Sequence, residues 1–91
     1  MEGAAIMGLG NAIYGQVTFK NGRAEQGNFS DYRILPIGPA PREIDVQIVP
    51  NEAPPAGVGE PGVPPIAPAL CNAIFTATGK RLRALPIGET V

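Results

Sequence analysis

The stretch Gly57-Val58-Gly59-Glu60-Pro61-Gly62-Val63-Pro64-Pro65-Ile66-Ala67-Pro68-Ala69-Leu70-Cys71-Asn72-Ala73-Ile74-Phe75-Thr76-Ala77-Thr78-Gly79 passes from a glycine–proline loop into an apolar periodic run. Ile66, Ala69, Leu70, Ala73, Ile74 and Ala77 recur at spacings of three and four, which predicts a helix over 66–78. Pro64 and Pro65 suit the approach to it. Pro68 is tolerated in a first turn, where backbone N–H groups lack partners anyway. Gly79 stands where a glycine closes a helix. Inside the loop a single carboxylate, Glu60, lies among glycines and a proline. Gly57 and Gly59 are read as permitting unusual dihedrals and the close approach of a ligand. Pro61 stiffens the exit, and the positive end of the following helix favours an acid nearby. A carboxylate so placed suits a general base. The plainer reading is a solvated glutamate in a flexible linker. The loop lacks the glycine spacing and the Lys-Ser/Thr pair of a phosphate-binding fingerprint.

Outward from this stretch, residues 2–14 read as a second helix, with Ile6, Leu9 and Ile13 on one face beside Ala5 and Ala12. Gly3, Gly8 and Gly10 interrupt it, each costing ~1 kcal/mol against alanine. Their presence implies that something approaches the backbone closely. Gly15 ends this helix. Residues 16–26 form a hairpin around Asn21-Gly22, the strongest two-residue turn signal. Residues 27–42 are irregular. From Glu43 to Val49 the chain alternates, Ile44, Val46 and Ile48 on one face and Glu43, Asp45 and Gln47 on the other, as in a strand with one wet face. Leu82 to Leu85 is a candidate short last strand. The expected fold is α+β: a small mixed sheet, made of the hairpin plus one or two further strands, with two helices on one face. Residues 1–91 are read as a single domain.

Composition narrows the function. With 91 residues the chain can bury only a small core, and its stability is expected to be marginal. A net charge of −1 argues against nucleic acid as partner, because phosphate binding needs a basic stripe. Lys80-Arg81-Leu82-Arg83 is read instead as cations at the negative end of a helix. Arg33, Arg42 and Lys20 are read as surface groups. One cysteine and no histidine exclude an intrachain disulfide and a His/Cys metal cage, and remove the usual nucleophile–base pairs. Cys71 lies on the apolar helical pattern as a small core residue. The uncharged run 3–19 has Glu2 before it in place of a basic region, and glycines and polar residues break it, so neither a signal peptide nor a membrane span is read. Ten of the 11 prolines fall in 36–68, so the two ends fold while the middle runs extended or turns.

Three stretches carry a family resemblance. Met1-Glu2-Gly3-Ala4-Ala5-Ile6-Met7-Gly8-Leu9-Gly10 resembles an xEGxxxxGLG helix, and Asn28-Phe29-Ser30-Asp31-Tyr32-Arg33-Ile34-Leu35 resembles an NFxDYxxL segment. Gly57 to Leu70 resembles an active-site loop and helix, continued by Asn72-Ala73-Ile74-Phe75 and Ala77-Thr78-Gly79-Lys80-Arg81. In this order the chain resembles the C-terminal part of the molybdopterin-binding large subunit of the xanthine dehydrogenase/aldehyde oxidase family. Within that family it is most similar to the branch of the isoquinoline 1-oxidoreductase beta subunits. Ala56 departs from the first glycine of that branch's GGVGEPG.

The resemblance implies a molybdenum hydroxylase that oxidises N-heteroaromatic or aldehyde substrates with oxygen from water. It implies Glu60 as the general base beside the metal, taking the proton from its hydroxyl ligand, and Gly57, Val58 and Gly59 as the backbone against the cofactor. Molybdopterin belongs to the full-length enzyme, and none is expected in the isolated chain. The partners implied are the remainder of the large subunit and an iron–sulfur small subunit, with no nucleic acid and no membrane. The chain is therefore expected to be a C-terminal fragment of a molybdopterin-binding domain, a truncated piece or the product of a fragmented gene. It is expected to be inactive by itself and to self-associate through exposed apolar faces. Bacterial cytoplasm and periplasm are both open to it. Two alternatives stand beside this reading. One is a non-catalytic, stand-alone interaction module that keeps the fold. The other is a small-ligand domain built on the Pro/Gly loop.

Overall fold

The computed structural model describes residues 1–89. Its elements in chain order are α1 (Glu2–Ile13), β1 (Phe19–Lys20), β2 (Arg23–Ala24) and α2 (Ile66–Thr78). The α+β class follows from these. α2 covers the residues its periodicity predicts. Gly79 closes it with φ 74° in the left-handed region, its N–H donating to the Phe75 carbonyl at 2.7 Å. The Thr76 and Thr78 hydroxyls donate to the carbonyls of Asn72 and Ile74, four residues back. In the hairpin, Phe19 faces Ala24 and Lys20 faces Arg23. Asn21 and Gly22 have φ 52° and 74°, the two positive values that a tight hairpin turn of this hand requires.

The sheet is smaller than expected. Among the described residues it is one antiparallel pair, β1–β2, and not a mixed sheet. Residues 43–49 and 82–85 join no ladder. The physical reason is that a strand satisfies its backbone only through a neighbour, whereas a helix satisfies its own. The helices also do not lie on the sheet. They pack against each other, and neither contacts the hairpin.

The face of α1 that meets α2 is the small one. The helix buries Ala4, Gly8, Gly10 and Ala12; of these Gly8 meets Ile66 at the start of α2 and Ala4 meets Gly62 before it, while Gly10 meets Leu35. Ala4, Gly8 and Ala12 follow one another at four-residue steps, roughly opposite Ile6, Leu9 and Ile13 at about 100° per residue. A Cβ on Gly8 would sit 2.7 Å from Ile66 Cβ and 2.9 Å from the Val63 carbonyl oxygen. The close approach that the helix glycines imply is thus made by Gly8 against the start of α2. On α2 the stripe is only partly covered: Ile66, Leu70 and Ile74 are half-buried, while Ala69, Ala73 and Ala77 are exposed. Cys71 is half-buried rather than in a core.

The end of the described chain folds back on α1. The N–H groups of Ile87 and Gly88 donate to the carbonyls of Ala12 and Ile13 at 2.8 and 3.0 Å, satisfying acceptors that a helix end leaves open. Beside them Glu89 Oε1 accepts from Tyr14 Oη at 2.8 Å and from Arg33 Nη2 at 2.7 Å. The Arg33 guanidinium lies 4.1 Å from the centre of the Tyr14 ring. Arg33 is thus a surface group, as its sequence reading has it, that also takes part in a clasp. Arg81 likewise folds onto α2, over the Phe75 ring at 3.8 Å and donating to Asn72 Oδ1 at 2.7 Å.

Little of this surface is removed from water. The buried apolar side chains are Ala4 and Ala12, and no large side chain is fully buried. The accessible surface is 7408 Å², against roughly 5,000 Å² for a compact monomer of this mass. The radius of gyration is 15.8 Å, where about 12 Å describes a compact domain of this length.

Candidate active-site loop

Glu60 is positioned by the turns that follow it. Its carbonyl accepts from the Val63 N–H at 2.9 Å, and the Val63 carbonyl accepts from the Ile66 N–H at 3.3 Å. Consecutive turns therefore lead from the glutamate into α2. Pro61 occupies the second position of the first turn, where its fixed φ is favourable. Gly62 follows, and a Cβ there would lie 2.9 Å from Ala4 Cβ. α1 thus presses on the loop just after Glu60 and on Ile66 just beyond it. Sequence reasoning passed over Gly62 and Ala4. A glycine in a Pro/Gly loop gives no local sign that it is a packing position.

The carboxylate itself is exposed, in a shallow recess lined by Gly57, Gly59, Glu60, Pro61 and Pro64. Among the described residues it makes no hydrogen bond and no ion pair; the ion pair found there is Arg33–Glu89. α2 carries no acid in its first turn and no side-chain cap, so Glu60 does not cap this helix. Gly57 and Gly59 also differ from expectation in one respect. Neither has positive φ; that conformation belongs to Gly22, Gly79 and Gly88. A Cβ on either would meet nothing within 4 Å, as at several other glycines of the chain. Among the described residues, no hydrogen bond within the chain takes up the N–H of Gly57, Val58, Gly59 or Glu60. The loop therefore presents four backbone donors and one carboxylate on an open surface.

The Asp31-Tyr32 pair is tied into its own segment. Asp31 Oδ2 accepts from the Gly27 N–H at 3.2 Å, and the N–H groups of Asp31 and Tyr32 donate to the Asn28 carbonyl, so 27–32 is a self-bonded turn. Among the described residues no three His, Cys, Asp or Glu side chains gather as a metal cluster, and no helix is long and apolar enough to cross a membrane.

Comparison with known proteins gives this loop its context. No protein-family model matches the chain. Curated relatives do match, over nearly its whole length. The chain is 40% identical over 86 residues to a protein of Gluconacetobacter polyoxogenes named membrane-bound aldehyde dehydrogenase (pyrroloquinoline-quinone). It is 39% identical over 87 residues to the beta subunit of isoquinoline 1-oxidoreductase from Brevundimonas diminuta. It is 38% identical over 88 residues to a nicotinate dehydrogenase subunit from Pseudomonas putida. These matches cover 94–96% of the chain but 11%, 11% and 7% of the relatives' own lengths. The chain thus spans about a tenth or less of the length of these relatives, each named as a dehydrogenase or an oxidoreductase. This likeness agrees with the resemblance of its motifs to the large subunits of the xanthine dehydrogenase/aldehyde oxidase family, and the isoquinoline 1-oxidoreductase beta subunit is among the relatives matched.

Proposed function

We propose that this chain is the C-terminal active-site segment of a molybdenum hydroxylase acting on N-heteroaromatic or aldehyde substrates, with Glu60 as general base. One observation supports this above the others. Among the described residues Glu60 is a carboxylate without a partner, in an open loop fixed behind by the Glu60–Val63 turn and by the contact of Gly62 with Ala4. A group meant to hold the fold together would have a partner. A base must instead keep its oxygens free for a proton delivered from outside the chain.

The loop fits one side of a molybdopterin site. Gly57, Val58 and Gly59 offer untaken N–H donors, and the absence of side chains at Gly57 and Gly59 leaves room against the backbone. Bound there, the cofactor would supply the two-electron redox centre that oxidises the substrate. Glu60 would accept the proton at its carboxylate oxygen, and a metal-activated water is acidic enough for a carboxylate to serve. α1, through Ala4 and Gly8, would hold the loop at a fixed distance from α2. The remaining contacts to the cofactor would come from the rest of the large subunit, and an iron–sulfur small subunit would take the electrons. By itself the chain would bind no cofactor and turn over no substrate.

The test is a chimera in which this sequence replaces the matching stretch of the Brevundimonas enzyme's large chain. It should oxidise isoquinoline and carry molybdenum and pterin. Because the Gluconacetobacter relative bears pyrroloquinoline quinone in its name, that quinone should be assayed in the same sample. Glu60→Gln should lower kcat by about 10²–10⁴ with unchanged cofactor content. A Glu60→Gln chimera as active as its parent would overturn the assignment of the base. A chimera that assembles with full cofactor yet is inactive with Glu60 in place would favour the reading as an interaction module.

A further inference from the structure

We infer that residues 43–49 are a self-complementary strand through which two copies of this chain pair. The inference does not depend on the role given to Glu60. The segment Glu43-Ile44-Asp45-Val46-Gln47-Ile48-Val49 runs without a turn or bend and without positive φ. Among the described residues, no hydrogen bond takes up a backbone N–H or C=O from Glu43 to Ile48. On its apolar face Ile48 lies open at 82% exposure, Val46 at 37%, and Ile44 is half-buried; Val49, on the other face, is 78% exposed. Asp45 and Gln47 bond to each other at 3.2 Å, which places both on one side, away from Ile44, Val46 and Ile48. This is an unpaired edge, of the kind that templates pairing with another chain.

The sequence of the segment selects a second copy and a register. In an antiparallel pair centred on Val46, Val46 faces its own copy and Ile44 faces Ile48 twice, giving a continuous apolar ladder. On the other side Asp45 faces Gln47 twice, and Glu43 faces Val49. No like charges stand opposite one another. Centring one residue earlier sets Asp45 against Asp45, and parallel in-register pairing stacks every acid on its copy; like charges directly opposite are destabilising. The surface available is ample. The chain exposes roughly 2,400 Å² more than a compact monomer of its mass, where a stable interface takes about 800 Å² from each partner.

The 91-residue chain should sediment at twice its 9.4 kDa mass, and Val46→Lys should return it to the monomer. Register is read by cysteine placement in a Cys71→Ser background, which leaves no other thiol. Val46→Cys puts two thiols opposite each other, with Cα atoms ~4.5–5.5 Å apart, inside the range a disulfide spans. Ile48→Cys puts them roughly 14 Å apart along the pair, beyond that range. Mild oxidation should therefore give covalent dimer from the first variant and not from the second. A wild-type chain that sediments at 9.4 kDa overturns the pairing. Equal cross-linking of the two variants, or none from either, overturns the register and with it the self-pairing.

Discussion

Replacing Gly8 with alanine adds one methyl group at the tightest point of the helix contact. The new Cβ would meet Ile66 Cβ at 2.7 Å, Ile66 Cγ1 at 2.8 Å and the Val63 carbonyl oxygen at 2.9 Å. None of these atoms is the free end of a flexible side chain, so α1 must move away from the start of α2. Overpacking of this kind costs about 1–3 kcal/mol. Alanine's better helix propensity returns about 1 kcal/mol, so the net effect is a loss of about 0–2 kcal/mol. Gly3 lies in the same helix and has nothing within 4 Å of its Cβ position, so Gly3→Ala should keep the whole propensity gain. The two variants should thus differ by about 2 kcal/mol. At ~4–8 °C per kcal/mol for a domain of this size, that is roughly 8–16 °C in Tm, read by far-UV circular dichroism. If Gly8→Ala melts at or above Gly3→Ala, the helices are not packed through the small face of α1. The positioning of the Glu60 loop by that face would then have no basis.

The remaining predictions test the other contacts of the site and its support. Gly62→Ala should destabilise, since its methyl would lie 2.9 Å from Ala4 Cβ, and Ala4→Gly should restore much of the loss. A double-mutant cycle measures this, and additive effects would show that the two residues do not touch. Glu89 is held below the ordinary carboxylate range, chiefly by the hydrogen bond from Arg33 and then by that from Tyr14. Its clasp therefore contributes above the unfolded carboxylate pKa and is lost as pH falls through the depressed folded value. An NMR titration of the Glu89 carboxyl should show the depressed midpoint, returned to the ordinary range by Arg33→Met. A wild-type midpoint already at the ordinary value would mean that the clasp does not form in solution.

The parts of the fold that were legible in the sequence are those whose causes are local. α2 has apolar periodicity, prolines before it and Gly79 after it, and each signal acts within a turn of the helix end it sets. The hairpin follows from Asn21-Gly22, whose positive φ values bend the chain wherever it lies. α1 was legible as a helix but not in its orientation. Periodicity points to Ile6, Leu9 and Ile13, yet the close contacts are made by Ala4 with Gly62 and by Gly8 with Ile66, on the other side. Hydrophobic pattern finds the face that some apolar surface covers; it does not say that the surface belongs to the same chain. The same limit governs 43–49, where alternation is real but a ladder partner is missing among the described residues. The Arg33–Glu89 pair joins positions 56 apart in the chain and leaves no local mark. Glu60 stands between these cases. Its loop is conspicuous in composition, but family resemblance, and no local physics, assigns it a role.

The central claim is that Glu60 takes a proton in the step that oxidises the substrate. The most direct measurement is the anaerobic rate at which isoquinoline reduces the cofactor in the Brevundimonas chimera, followed in a single turnover. A loss of about 10²–10⁴ in that rate for Glu60→Gln, with cofactor content unchanged and partial rescue by Glu60→Asp, is what the account predicts. Reduction by the Glu60→Gln chimera at the parental rate would contradict it.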